Sequence, residues 1–307
     1  MKTQKIILGI VVANAFAILT IMLTKWMSFH QGLLGNLSAV FIFSDFIIVP
    51  MLMGIISAYF WRDLKLSGGQ YTLYAICNSI LSVAGAYFFL KEGYICLIII
   101  SPLLFGFTIG GTFIGKVMFK RNKNTLNVSV ISLLLIITAI DSLTTKPYEN
   151  MVSDTIIINA SPEKVWQYVV AYEPIKEKEN YWLFQAGMPS PVQSTADCFC
   201  EGGGRKCIFS NGYVFDEKMV VYKPNKDLTF DITNQPRDPE IMGHIDILRG
   251  QFILKDNGDG TTTLIGNSWY RLYVFPTWYF DTWAASVTRN VHLRVMDHIK
   301  KLSERNV

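Results

Sequence analysis

The sequence predicts two unlike parts. The first is an α-helical transmembrane bundle of about five spans. The second is an α+β domain in which a curved antiparallel sheet wraps a long C-terminal helix. Three observations carry this. Charged residues are scarce, 17% of 307, and they are sparse in the first part of the chain and dense in the second. The first part is filled by apolar runs long enough to cross a bilayer. The second part is a series of strand patterns broken by turn signals, and it ends in one long amphipathic helix. The net charge of +4 is small and follows from loops flanking the spans, so it is no nucleic-acid footprint.

The spans fall at residues 6–23, 37–60, 71–90, 94–119 and 126–143. The first is flanked by Lys2, Lys5 and Lys25. It is longer than the core of a signal peptide and more spans follow, so it reads as retained. Orientation follows from basic residues in short loops. With the N-terminus inside, the inner segments hold Lys2, Lys5, Arg62, Lys65, Lys116, Lys120, Arg121 and Lys123, and the outer loops hold only Lys25 and Lys91. Five spans then place the second part on the outer side of a cell membrane, and four would place it inside. Asp45 lies mid-span, where an ionisable group is costly. Asn78 in the next span is the expected polar contact for it. Gly106, Gly110, Gly111 and Gly115 form overlapping small-xxx-small patterns that suit close helix packing within the bundle.

Residues 1–145 are therefore the membrane region, and 154–307 the second domain, after a short linker at 146–153. Residues 155–158 read as a strand. Ser161, Pro162 and Glu163 open a helix with Val165, Trp166, Val169 and Val170 on its apolar face. Tyr181, Trp182, Leu183 and Phe184 form an aromatic loop before Pro189 and Pro191. Its two readings are core under a loop and membrane contact through Tyr181, Trp182 and Phe184. Strands follow at 206–210, 213–222, 227–232, 250–255 and 261–274, separated by Ser210-Asn211-Gly212, Pro224-Asn225-Lys226 and the glycine-rich turn at 256–260. Pro276 then stops the last strand. Phe280, Trp283, Val287, Val291, Val295, Ile299 and Leu302 recur at helical spacing, with Arg289, Asn290, Arg294 and Asp297 on the other face. Such a stripe is roughly 35 Å long and needs a partner surface of similar length.

A strand ending in Asn159-Ala160-Ser161-Pro162-Glu163-Lys164-Val165-Trp166, a helix, many strands and a long last helix together resemble the START/Bet v 1-like (SRPBCC) superfamily. Residues 204–212, Gly250-Gln251-Phe252 and Trp269-Tyr270 extend the likeness to its polyketide cyclase/dehydrase-like members. The resemblance covers about residues 154–304. It implies a helix-grip fold with a cavity between sheet and helix. Relatives bind lipids, sterols or polyketides, or act as enzymes.

No metal or cofactor constellation is legible. His292 and His298 are six apart and do not share a metal-binding face. Gly202-Gly203-Gly204 precedes a strand and is no nucleotide loop. The expected ligand-binding residues are Arg205, Glu217, Arg249, Trp269, Arg271, Trp283, Val287 and Val291, and the acid/base candidates are Glu217 and His244. The competing reading puts the charged ones on the outer sheet face. If the domain lies outside, Cys198 or Cys200 is expected to pair with Cys207 across the glycine turn, while a Cys198–Cys200 bond, between residues two apart, is expected to be strained and so disfavoured. The favoured function is membrane-anchored binding of a hydrophobic or lipid-like small molecule. The first alternative is an enzyme on a similar substrate, which an inward-facing charged pair would favour. The second is a sensor or assembly protein with a filled cavity. The expected partners are the lipid bilayer and that small molecule, with no nucleic acid, and the oligomeric state is left open.

Overall fold

The computed structural model describes residues 2–30, 43–90, 92–121, 132, 135–138, 140, 147–236 and 244–305. These form two compact units. Described residues within 1–146, 239–244 and 273–278 make one, and those within 147–238, 245–272 and 279–307 make the other.

The first unit is helical, with α1 (Lys2–His30), α2 (Phe43–Phe46), α3 (Ile48–Trp61), α4 (Gly68–Gly85) and α5 (Tyr94–Arg121). Ser67 starts α4 with a capping box: its hydroxyl accepts from the Gln70 amide, and the Gln70 side chain accepts from the Ser67 amide. Four stretches are long and apolar enough to cross a membrane: Lys2–Thr24, Phe43–Trp61, Gly68–Phe89 and Tyr94–Lys120. The expected fifth span, 126–143, lies largely outside the described residues, as does the start of the second.

Several polar side chains inside this unit bond one another. Asp45 accepts a hydrogen bond from Thr24 at 3.2 Å. Asn78 is not shown bonded to Asp45. It accepts from Asn14 at 2.6 Å and donates to Ser57 at 3.0 Å. Helices α3 and α5 meet backbone to backbone. A Cβ on Gly111 would stand 2.1 Å from the Met51 carbonyl oxygen, and one on Gly54 would stand 2.2 Å from that of Thr108. Gly115 is packed on Ala58 and Ile55, while Gly106 and Gly110 have open space around them.

The second unit holds β1 (Tyr148–Ile158), α6 (Pro162–Val169), α7 (Trp182–Gln185), β2 (Pro191–Ala196), β3 (Gly204–Phe209), β4 (Val214–Lys223), β5 (Asp227–Asn234), β6 (Ile245–Asp256), β7 (Thr262–Leu272) and α8 (Thr277–Glu304). The strands form one curled antiparallel half-barrel in the order β1-β7-β6-β5-β4-β3-β2. Five connections are between sequence neighbours, and β1 closes onto β7 at the far edge. Strand β1 begins inside the expected linker, because Tyr148 to Met151 pair with β7. Strand β2 has no counterpart in the sequence reading. Within the sheet it pairs with β3, as the edge strand opened by Pro191, and its outer side meets the segment after α6 at Tyr172 and Ile175.

Helix α8 lies on the face of β7 that carries Gly266, Ser268 and Tyr270, since Met296, His292 and Asp281 meet those residues. The apolar core sits toward the C-terminal end of α8. Val295, Met296, Ile299 and Leu302 pack there with Val165 and Val169 of α6 and with Met219, Leu228, Phe230, Phe252, Leu254 and Leu264 of the sheet. Full burial of such a side chain contributes about 1.5–3 kcal/mol. The first half of the helix differs from the expected stripe. Its buried line runs through Ala284, Thr288, His292 and Met296, and Trp283, Val287 and Val291 stand beside it, partly buried. Small and hydrogen-bonding residues take the sheet-facing line, which lets helix and sheet approach closely.

Candidate functional site

Residues opposite one another in antiparallel strands share a face. Ser194 of β2 faces Cys207 of β3, and Arg205 of β3 faces Glu217 of β4. Arg205 and Cys207 are two apart, so all four side chains stand on one face of the sheet. The Arg205 guanidinium pairs with the Glu217 carboxylate, donates through Nε to the Val170 carbonyl at 2.8 Å, and lies 4.6 Å over the Phe230 ring. Both partners are buried. Burial pushes the Glu217 carboxyl up, against the pull of Arg205. Burial also works against the Arg205 charge, and Glu217, with Tyr172 and Cys207, more than offsets it.

Tyr172, on the segment that leaves α6, joins this cluster through a backbone bridge to Ser194. Each residue's amide donates to the other's carbonyl, at 3.1 and 3.4 Å. The Tyr172 hydroxyl lies beside Cys207, and burial raises its phenol well above the ordinary range. The Cys207 thiol is pushed up to about 12 by burial and by nearby Glu217, so it is no ready nucleophile. Two hydroxyls here are buried: that of Ser194 has no hydrogen-bond partner among the described residues, and that of Tyr172 has only the weakly bonding Cys207 thiol beside it.

A second polar cluster ties α8 to β1 and β7. His292 Nε2 is 2.6 Å from Ser268 Oγ, and His292 Nδ1 is 3.0 Å from Asp154 Oδ2. Arg289 donates to Asp154 Oδ1 at 2.8 Å. Burial holds the His292 imidazole below its ordinary value, against the pull of Asp154. A neutral ring with its proton on Nδ1, facing Asp154, leaves Nε2 to accept from Ser268. Nearer the start of the helix, Asp281 accepts from Tyr270 at 2.6 Å and from Asn150 at 3.0 Å.

Of the residues singled out from sequence, the structure brings Arg205 and Glu217 together. It does not bring the other charged candidates to them. Arg249, Trp269 and Arg271 alternate with the helix-facing positions of their strands and stand on the other face, where Arg249 bonds Asp231 at 2.6 Å and Arg271 bonds Glu149 at 2.6 Å. Trp283 meets Trp182 edge-on at 6.3 Å, and Val287 and Val291 flank the sheet-facing line of α8. His244 groups with the helical unit, its Nε2 3.3 Å from Glu92. In the aromatic loop, Trp182 is 49% exposed and Tyr181 bonds Ser286 at 3.1 Å. Phe184 is 4% exposed, so its ring is core and closed to a bilayer. Tyr172, Ser194, Asp154, Ser268 and His292 were missed. Alternation along 148–158 placed Asp154 on an inner face, but Tyr172 and Ser194 lie in irregular or edge segments with no period to read.

The cysteines also differ from the expected pairing. Cys198 and Cys200 are joined, and Cys207 is free. Cys207 faces the inner cluster, turned away from the β2–β3 loop that carries the other two. Among the described residues no group of three or more histidine, cysteine or acidic side chains is placed to hold a metal ion.

No protein-family model matches the chain, and no curated protein does. Solved structures do resemble it. A Nitrosospira multiformis protein is 15% identical over 51% of this chain and 97% of its own, with a TM-score of 0.35. The XoxI protein of Bacillus cereus is 17% identical over 49% and 93%, with a TM-score of 0.34. Truncated norcoclaurine synthase from Thalictrum flavum is 10% identical over 53% and 99%, with a TM-score of 0.38.

Proposed function

We propose that the C-terminal unit binds a small amphiphilic molecule, lipid or lipid-like, against the concave face of its sheet, on an anchor formed by the N-terminal helices. One observation carries the reading: two buried hydroxyls, Ser194 with no partner among the described residues and Tyr172 with only the Cys207 thiol beside it, next to the buried Arg205–Glu217 pair. An unsatisfied buried polar group costs about 1–3 kcal/mol. A ligand headgroup that accepts from Tyr172 and Ser194 removes that cost, while Phe230, Phe252 and the adaptable side chains of Met219 and Met296 receive the apolar body. The anchor rests on four helices of spanning length and composition. It keeps the unit near membrane ligands, and exposed Trp182 suits a contact with the bilayer surface.

The test is mass spectrometry of the full chain purified in mild detergent. A defined amphiphile co-purifies with the wild type, and Tyr172→Phe with Ser194→Ala lowers its occupancy several-fold. Removing these two hydroxyls leaves the melting temperature equal or higher. Retention of the molecule by the double variant defeats the reading, as does a wild type that carries only bulk lipid.

A second reading, an enzyme on a hydrophobic substrate of the polyketide cyclase/dehydrase-like kind, has its own support. Arg205 and Glu217 are an inward charged pair, and His292 sits between Asp154 and Ser268. In that reading Glu217 is the acid/base. Glu217→Gln then abolishes turnover of the co-purified molecule and preserves its binding.

A further inference from the structure

We propose that the β2–β3 loop is a thiol–disulfide exchange site, in which the Cys198–Cys200 disulfide accepts two electrons from a thiol donor in the surrounding solution. The two cysteines are separated by one residue and joined, with Cα atoms 5.5 Å apart. A disulfide stabilises chiefly by constraining the unfolded chain, and that effect grows with the length of the loop it closes. This one closes the span of three residues, so it is a poor staple.

The loop is held without it. The Asp197 amide donates to the Gly204 carbonyl at 3.0 Å, and the Gly204 amide donates to Asp197 Oδ1 at 2.7 Å. The Gly202 amide donates to the Met219 carbonyl at 2.8 Å, the Met219 amide donates to the Gly203 carbonyl at 2.9 Å, and the Gly203 amide donates to the Cys200 carbonyl at 3.2 Å. Gly202 supplies the φ of +85° that this turn needs. After reduction these bonds keep the two thiols close enough to join again.

Access fits the same use. Cys200 is exposed and Cys198 half-buried against Gly203, where a Cβ would come within 2.4 Å of its sulfur. Phe199 between them is 57% exposed and offers an apolar contact at the reacting edge. Cys207, the third cysteine of this unit, is set aside as an internal partner because it faces the inner cluster opposite Ser194, away from the loop, and its thiol is poorly ionised. Cys77 and Cys96 lie within the apolar helices α4 and α5 of the other unit, so the donor is taken to be a thiol outside the chain.

The step balances as two exchanges. A donor thiolate attacks the more exposed sulfur, Cys200, forming a mixed disulfide as the Cys198–Cys200 bond breaks, and Cys198 leaves as a thiolate that takes a proton. A second donor thiolate attacks the donor's sulfur in the mixed disulfide and releases Cys200 as a thiolate that is protonated in turn. The donor ends as a disulfide and the loop as two thiols.

Full-length protein purified in detergent without reductant is equilibrated in glutathione buffers of graded ratio. It is then quenched with acid, alkylated and mapped by mass. The 198–200 peptide carries no alkyl groups in oxidised buffer and two in reduced buffer, with one sigmoidal transition between. Cys207 takes up no glutathione. Cys198→Ser accumulates a glutathione adduct on Cys200, and the melting temperature of the reduced wild type stays within a few degrees of the oxidised form. The proposal is overturned if Cys198 and Cys200 are free thiols in the protein as isolated. It is also overturned if the bond survives the most reducing buffer, or if reduction unfolds the protein, which would make the bond a staple.

Discussion

His292 is the residue whose chemistry reaches furthest into the fold. Its ring is buried against Ser268 and Asp154, and burial holds its pKa below the ordinary 6.5. As pH falls through 6.5 the unfolded chain takes up a proton that the folded ring refuses. Where the unfolded state binds more protons, stability falls as pH falls. The loss begins near 6.5 and levels off below the folded value, with a slope of at most about 1.4 kcal/mol per pH unit for one group. Denaturant midpoints measured from pH 7.5 to pH 5 should therefore fall for the wild type and fall less for His292→Gln. Parallel profiles for the two proteins would refute the assignment of a neutral buried ring. This role is not legible from sequence, because His292 sits one position to the side of the aliphatic stripe, and its partners Asp154 and Ser268 come from strands 114 residues apart in the chain.

At the scale of elements, α8 carries the clearest prediction. Val295 is buried in the core, while Asp297, two residues on, is exposed. Val295→Asp buries an unpaired charge and should cost several kcal/mol. Asp297→Asn should change stability by no more than about 0.5 kcal/mol. Equal melting temperatures for these two full-length variants would refute the packing described for the helix. Arg294 is not the neutral control that its place on the polar side implies, for it donates to the carbonyls of Pro191 at 3.1 Å and Glu177 at 3.3 Å. Much of the second unit was legible as pattern. The turns at 210–212, 224–226 and 256–260 do join neighbouring strands, and Pro162 does open a helix, although Ser161 makes no side-chain capping bond. Side-chain facing was not legible for the charged candidates. Trp269 and Arg271 share a face whichever way β7 is turned, and only the bonds of Ser268 and Tyr270 to α8 fix which face that is. Arg205 and Glu217 were legible as residue types and not as a pair, since their register depends on where the β3–β4 turn falls.

At the scale of the whole molecule, the second unit is expected on the outer side of a membrane. Basic residues flank the apolar segments unevenly, which is the ground for expecting the N-terminus inside. Four described helices have the length and composition of spans, and an even number would return the chain to the inner side. The run at 126–143 is apolar over 18 residues, from Leu126 to Leu143, with only Asp141 charged, and as a fifth span it carries the chain across once more. Lys226 lies exposed in the β4–β5 turn, away from both candidate clusters. A Lys226→Cys variant, treated in intact cells with a membrane-impermeant maleimide, should be labelled there as fully as after lysis. The wild type, treated in parallel, corrects for its own cysteines. Protection of the new thiol in intact cells, with labelling only after lysis, would put the unit inside and remove 126–143 from the spans. It would also move the disulfide into a reducing compartment, where a persistent structural bond is rare and a transient, exchanging one is the form expected.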